Sequence, residues 1–413
     1  MGQRGGRLAL VAVAALALAA GCGGSSSSGS SATAGQSSAA APTKSPIKMG
    51  LLTELTGAGG SATGFVGTTA QAWVKWVNAT GGLNGHPVEL TVKDSKSDPA
   101  SAIALANELL KTDKVDVLAL ADVAAEAAAG QVITSSGVPT IGFGYTPVWN
   151  SAPNMYATSG VIPLLFTSQP EAAKAVGGTA FGAIACSEVP TCSSGAQAYG
   201  PAAQAVGIKY NGLITASLTA PNYNAECLKM MQQGTDVIAA TMNAPALLRL
   251  AQNCSQQGFK GSIEIGAGSV VSKDLASVTG KLAGYTWAWP WWANTPQNKT
   301  LNDVMAKYNS GNQYQDASSM AMWASLEVFH KATAQLGDTV SPDSLNAAMG
   351  TIQNETLGGM LPQAISFTPG KNQPVVACNF LFSYEDKKFT TAHLGASGNG
   401  TTGDTQSTCF PPK

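Results

Sequence analysis

Ile47-Lys48-Met49-Gly50-Leu51-Leu52-Thr53 is an apolar run of strand length, and the period changes directly after it. Residues 65–80 space Trp73, Trp76 and Val77 as one helical face, and residues 88–93 alternate as a strand. Ser97-Asp98-Pro99 marks the next helix start, because a capping carboxylate satisfies exposed amides and the proline after it pre-sets φ. That helix is expected to reach about Lys111, followed by a buried strand over 115–121, a helix over 124–135 and a fourth strand over 139–143. After a turn-rich stretch around 150–156 the alternation restarts, with strands expected at 179–185, 208–214, 236–241 and 262–265 and helices between them. Two such runs predict an α/β protein with two doubly wound parallel sheets, each covered by helices on both faces. Ligands of such sheets sit at the carboxyl ends of the strands.

The chain begins differently. Arg4 and Arg7 form a short basic segment, residues 8–20 form an apolar run too short for a stable membrane span, and small residues follow. Leu18-Ala19-Ala20-Gly21-Cys22 resembles the bacterial lipobox, which implies cleavage before Cys22 and acylation of its thiol. Residues 1–22 are therefore expected to be a lipoprotein signal peptide, giving a membrane attachment through lipid and not through a helix. Residues 23–45 are nearly all Ser, Gly, Ala and Thr and cannot bury enough apolar surface to fold. As a flexible tether they span about 25–30 Å r.m.s..

From Pro46 onward the composition is globular and the length exceeds what one core usually serves, so two lobes are expected. Lys plus Arg number 23 against 24 Asp plus Glu, without a basic run, so the electrostatic footprint of a nucleic-acid binder is missing. Besides Cys22 there are Cys186, Cys192, Cys227, Cys254, Cys378 and Cys409, an even set that in an exported chain favours disulfides. Six cysteines can pair in more ways than a sequence decides, and nearest neighbours along the chain are the expectation. A zinc site is the alternative, but it lacks C-x-x-C spacing, and the histidines are only His86, His330 and His393.

The blocks Met49-Gly50-Leu51-Leu52-Thr53-Glu54-Leu55-Thr56-Gly57, Val77-Asn78-Ala79-Thr80-Gly81-Gly82-Leu83-Asn84-Gly85 and Asp98-Pro99-Ala100 resemble the branched-chain (Leu/Ile/Val) amino-acid binding proteins of ABC importers. Gly137-Val138-Pro139-Thr140-Ile141, the helix end at 254–258 and residues 324–337 are similar to the same family. The resemblance covers 46 to about 384, most strongly in the first third. It implies a periplasmic-binding-protein type 1 fold with three crossovers between lobes. Lobe one would hold 46–159 plus 290–357, and lobe two 160–289 plus 358–413. It further implies an extracytoplasmic monomer that hands a small molecule to a permease and needs no cofactor or metal.

Residue by residue, the resemblance carries over only in part. Relatives use a hydroxyl after the third strand for the ligand carboxylate, and here Val123 stands at that place in Leu120-Ala121-Asp122-Val123-Ala124. Thr146, in Gly144-Tyr145-Thr146, keeps the hydroxyl used after the fourth strand. In lobe two the acidic residue that holds a ligand ammonium is replaced by Ala246. An ammonium buried without an acceptor costs several kcal/mol, so an amide, a carboxylate or a partly apolar molecule is at least as well suited as an α-amino acid. The expected ligand contacts are Ser61, Ala62, Thr63, Val123, Ala124, Tyr145 and Thr146 from lobe one, with Glu188, Asn243, Ala244 and Ser269 from lobe two.

Other features have plainer readings. Trp287, Trp289, Trp291 and Trp292 are expected mostly to pack the second crossover, with Trp287 and Trp289 on one strand face. Trp73 and Trp76 should cover the sheet, His86 should lie on the surface, and His330 should be a solvated or core residue of its helix. Gly57-Ala58-Gly59-Gly60-Ser61-Ala62 matches the loose dinucleotide pattern, but Asp94 lies too far on for a ribose contact, and a permissive loop lining the cleft accounts for it better. No G-x-S-x-G, H-E-x-x-H or P-loop occurs, which leaves an enzyme without a nucleophile or metal. A ligand-sensing receptor of the same fold is the alternative to an importer subunit.

Overall fold

The computed structural model describes residues 41–411 apart from 161, 189–191, 193, 194, 267–271 and 279. The expected signal peptide, Cys22, most of the tether and Ser269 lie outside the described residues. Thr43 and Lys44 both donate their amides to the Gly85 carbonyl, so the last tether residues are already held by the body.

The first run builds β1 (Ile47–Thr53), helix α1 (Val66–Ala79), β2 (Val88–Asp94), α2 (Pro99–Asn107), β3 (Val117–Ala121), α3 (Val123–Ser136), β4 (Thr140–Gly142) and β5 (Met155–Ala157). These five strands pair in parallel in the order β2-β1-β3-β4-β5. Asp98 caps α2 as its position before Pro99 predicts, accepting from the Ser101 amide at 2.7 Å. The helix then continues as a short π-helical turn over Glu108–Thr112. β5 was hidden in the turn-rich stretch, because three residues are too few to show a period.

The second run builds α4 (Ile162–Ala175), β6 (Ala180–Cys186), α5 (Tyr199–Ala205), β7 (Lys209–Ala216), α6 (Asn224–Gln232), β8 (Val237–Thr241), α7 (Ala244–Gln256), β9 (Ser262–Ile265) and β10 (Lys281–Thr286). The order β7-β6-β8-β9-β10 repeats that of the first sheet. The chain then leaves for α8 (Pro296–Tyr308), α9 (Ala317–Ala332) and α10 (Pro342–Met349). Of these, α8 and α9 pack on α1 beside the first sheet. It returns to extend the second sheet with antiparallel β11 (Cys378–Glu385) and β12 (Lys388–Ala392), while β13 (Thr408–Cys409) pairs with β11. The fold is thus two α/β lobes with the chain passing between them three times.

Strand alternation distributes the cores. Ile47, Met49 and Leu51 face Trp73 under α1 and α9, while Leu52, Leu118 and Leu120 face Leu109 and Ile133 under α2 and α3. In the second sheet Ile184, Ile238 and Ile263 face α6 and α7, and Phe181, Ala183 and Ala239 face the α4–α5 side. Disulfides join Cys186 with Cys192, Cys227 with Cys254 and Cys378 with Cys409, the nearest-neighbour pairing.

Two expectations are corrected. His86 is fully buried, its ring nitrogens 2.7 Å from the Ser45 carbonyl and 2.9 Å from the Gly337 carbonyl, because the 83–86 turn folds under the first residues of the body. Trp287 and Trp289 share no strand face: β10 stops at Thr286, and Trp289 takes a left-handed φ of 58° so that its indole can donate to Asn298 Oδ1 at 2.8 Å. Packing does occupy these tryptophans, Trp292 lying on Phe389 and donating to Thr391 Oγ1. Trp76 stacks on Trp323, Trp73 donates to Glu327, and His330 packs edge-on against both Trp73 and Trp76.

Candidate ligand site at the strand ends

In each sheet the winding order reverses once, between β1 and β3 in lobe one and between β6 and β8 in lobe two. A crevice opens at the carboxyl ends of strands at such a reversal. In lobe one the residue leaving β1 is Glu54, and the residues leaving β3 are the first of α3. Helix starts leave amides without intrahelical partners, and these attract carboxylates. Glu54 Oε1 accepts from the amides of Val123 at 2.6 Å and Ala124 at 3.3 Å, while Oε2 accepts from Ser97 Oγ at 2.6 Å. Asp122 caps the same helix, accepting from the Ala125 amide at 2.8 Å. Burial pushes the Asp122 carboxyl up to about 6, against hydrogen bonds from Ser95 and Ala125, and neighbouring Glu54 adds to the rise.

The glycine-rich loop serves this carboxylate. A Cβ on Gly59 would fall 1.7 Å from Glu54 Oε2, and the Gly59 amide donates to Ser97 Oγ at 2.8 Å. The loop wraps a side chain of its own protein, which explains its small residues without a phosphate. Thr63 is part of that wrap: it is buried and donates to the Glu54 carbonyl at 2.6 Å. Ser61 stays exposed and Ala62 half-buried on the adjacent turn.

A second internal carboxyl occupies the end of β4. Glu126 of α3 is 2% exposed, and its Oε2 accepts from the amides of Tyr145 at 2.9 Å and Thr146 at 2.8 Å. Burial pushes this carboxyl up to about 8, opposed by hydrogen bonding from Trp149, Tyr145 and Thr146. The Thr146 side-chain oxygen is buried beside it. Glu126 thus takes both amides that flank the Thr146 hydroxyl. Sequence reading passed over Glu54 and Glu126; the signal for Glu54 was its place directly after the first strand.

Tyr145 does not project freely into the cleft. It is 7% exposed, with its hydroxyl 3.3 Å from Ser318 Oγ of α9 and its ring 5.4 Å from Trp287, edge-on. Phe143 lies 5.5 Å from the same indole, so Trp287, at the end of β10, meets two aromatic rings of lobe one. These rings form an apolar wall between the lobes, with Val123 at 39% exposed and Ala124 half-buried.

Lobe two offers fewer of its expected contacts. Glu188 is exposed but committed, accepting from Ser217 Oγ at 2.5 Å and the Leu218 amide at 2.9 Å; the Ser217 bond holds its carboxyl below the usual range. Asn243 caps α7 by accepting from the Ala246 amide at 3.1 Å, with Ala244 half-buried after it. Among the described residues no cluster of His, Cys, Asp or Glu could hold a metal ion, and no helix is long and apolar enough to cross a membrane.

The pattern of the family described as Periplasmic binding protein matches residues 46–388. No curated protein matches the sequence. Among solved structures, a solute-binding protein of an ABC transporter from Rhodopseudomonas palustris BisB5, in complex with 3,4-dihydroxybenzoic acid, is 18% identical with a TM-score of 0.64, over 84% of this chain and 95% of that one. A fatty-acid ABC transporter substrate-binding protein from Thermomonospora curvata is 17% identical with a TM-score of 0.67, over 89% and 94%. A leucine-binding protein from Thermotoga maritima MSB8 is 16% identical with a TM-score of 0.64, over 86% and 99%.

Proposed function

Because this chain belongs to the periplasmic binding protein family, we propose that it is the binding subunit of an ABC importer. It is anchored by acylated Cys22 outside the cytoplasmic membrane, acts as a monomer and passes a small molecule to a permease without chemical change. Ser61, Ala62, Val123, Ala124 and Tyr145 face the ligand from lobe one, and Glu188, Asn243, Ala244 and Ser269 from lobe two. The two matching winding orders, with their reversals at the strand ends, support a ligand taken between lobes.

One observation narrows the ligand: the amides of Val123, Ala124, Tyr145 and Thr146 are all held by Glu54 and Glu126. A ligand carboxylate would find no free donor there and would meet two internal carboxyl groups. Dihydroxybenzoic acid, fatty acids and leucine, named with the structural neighbours, all carry a carboxylate. This chain is built for a donor-bearing, partly apolar solute, an amide or an amine, with Tyr145 and Trp287 against its apolar part. A thermal-shift series on the mature chain with benzoate, benzamide, benzylamine, octanoate, octanamide and octylamine tests this, because a ligand of the folded form raises its melting temperature. Amides or amines should raise it and carboxylates should not. A rise with the carboxylates alone overturns the reading.

A further inference from the structure

Glu264 stands in the middle of β9, between Ile263 and Ile265, and is fully buried. Its neighbours in sequence face α6 and α7, so its side chain is on the opposite side of the sheet, under α4 and α5. Neither carboxylate oxygen meets a hydrogen-bond partner among the described residues. That sets it apart. The other buried carboxyls among the described residues are used: Glu54 and Glu126 by two amides each, Asp122 and Asp316 as helix caps and Glu171 by Asn379, while half-buried Glu327 accepts from Trp73. A carboxyl that holds nothing has no structural reason to replace an apolar side chain at that place, because its burial alone costs several kcal/mol.

Hydroxyl groups lie on the same face of the sheet. Glu264 lies in register with Ala239 of β8, and Thr241, two residues farther along β8, is on the same face at the carboxyl end of the sheet. Thr241 Oγ1 is 2.6 Å from the Tyr199 hydroxyl, which also meets Gln169 of α4. Tyr199 packs in the same cluster as Ala239, the register partner of Glu264. Among the described residues no cation pairs with Glu264: on the adjoining elements Lys174 is directed to the Gly207 carbonyl and Lys281 to Glu385, while Glu171 faces Asn379.

We propose that Glu264 is the lobe-two anchor for a cationic nitrogen of the ligand, an alkyl- or arylalkyl-ammonium group, with the Tyr199 and Thr241 hydroxyls accepting its remaining N–H bonds. This rests on the reading of the chain as a solute receptor and selects the amine from the two classes left open. Burial alone pushes the Glu264 carboxyl well above the usual range, and a cation paired with it draws it back down. Binding then balances as neutral acid plus ammonium giving an ion pair plus one proton released to solvent.

The test titrates the mature chain and its Glu264→Gln and Tyr199→Phe variants with benzylamine, phenethylamine and octylamine, each beside its neutral alcohol. Calorimetry is run in two buffers of different ionisation enthalpy. Glu264→Gln is isosteric with the protonated acid and should fold as well. Wild type should bind at least one amine more tightly than its alcohol and release about one proton per ligand. Glu264→Gln should lose about tenfold or more in affinity and release none, and Tyr199→Phe should weaken binding less. Amine affinity and proton release unchanged in Glu264→Gln overturn the assignment, as does a wild type that no amine binds. In the thermal-shift series, amides bound equally by wild type and Glu264→Gln sink this inference alone, whereas a rise confined to carboxylates sinks the donor-bearing ligand class as well.

Discussion

Glu126 makes a pH dependence that one substitution should remove. Its carboxyl is pushed up to about 8 in the fold from an ordinary value of 4.5, mainly by burial. Between those two values the unfolded chain has lost the proton and the folded chain keeps it, so the unfolded state binds fewer protons and stability falls as pH rises. The contribution is complete at acid pH and is lost progressively toward pH 8. Each pH unit inside the window is worth about 1.4 kcal/mol, so from pH 5.5 to 7.5 this one group should cost about 2 to 2.5 kcal/mol. At 2% exposure, solvent screening takes little from that figure.

Glu126→Gln keeps an oxygen for the amides of Tyr145 and Thr146 and has nothing to ionise. Urea denaturation followed by tryptophan fluorescence, with disulfides intact, gives the stability of both proteins at both pH values. The variant should gain on wild type by about 2 kcal/mol on going from pH 5.5 to 7.5. The comparison cancels the similar slopes of Glu171, pushed up to about 8, and Glu327, pushed up to about 7, which both proteins share. A gain within about 0.5 kcal/mol of zero would refute the claim that Glu126 is held as a neutral acid.

Three further outcomes follow from the same observations. Cys22→Ala should abolish labelling by a radioactive fatty acid and release the protein from membranes; label retained on the variant would reject the lipid anchor. Peptide mapping of the unreduced mature chain should return Cys186–Cys192, Cys227–Cys254 and Cys378–Cys409, and free thiols at Cys186 and Cys192 would contradict the pairing. Glu54→Ala should cost about 2 to 3 kcal/mol by stranding the Val123 and Ala124 amides and the Ser97 hydroxyl, and should bring a gain of affinity for benzoate; an unchanged urea midpoint would show that Glu54 does not organise the loop.

The sheets were legible because strands buried on both faces are long apolar runs. Residues 47–53 and 262–265 have the extents expected for their strands, and Asp98-Pro99 opens α2 as its chemistry dictates. What failed to show was short or lacked a period, as with the three residues of β5 and the left-handed turn at Trp289. His86 failed for another reason: its burial comes from residues far away in sequence, the Ser45 and Gly337 carbonyls, and no local pattern reports them.

The site shows the same limit more sharply. Family likeness pointed to Tyr145 and the hydroxyl of Thr146, which follow the end of β4. Whether an amide is free for a ligand, however, is decided by what else has reached it, and Glu126 reaches these from 19 and 20 positions earlier in the chain. Glu54 reaches the α3 amides from 69 and 70 positions away. Both acids were visible as letters, but an acid after a strand and an acid in a helix are ordinary in sequence. Only the closed loop at Gly59, which brings a backbone against Glu54 where a Cβ would not fit, turns a pattern that could cradle a phosphate into one that seats an internal carboxylate. Two side chains that fill donor sites from within thus change what a strand end can offer while leaving the frame of the fold in place.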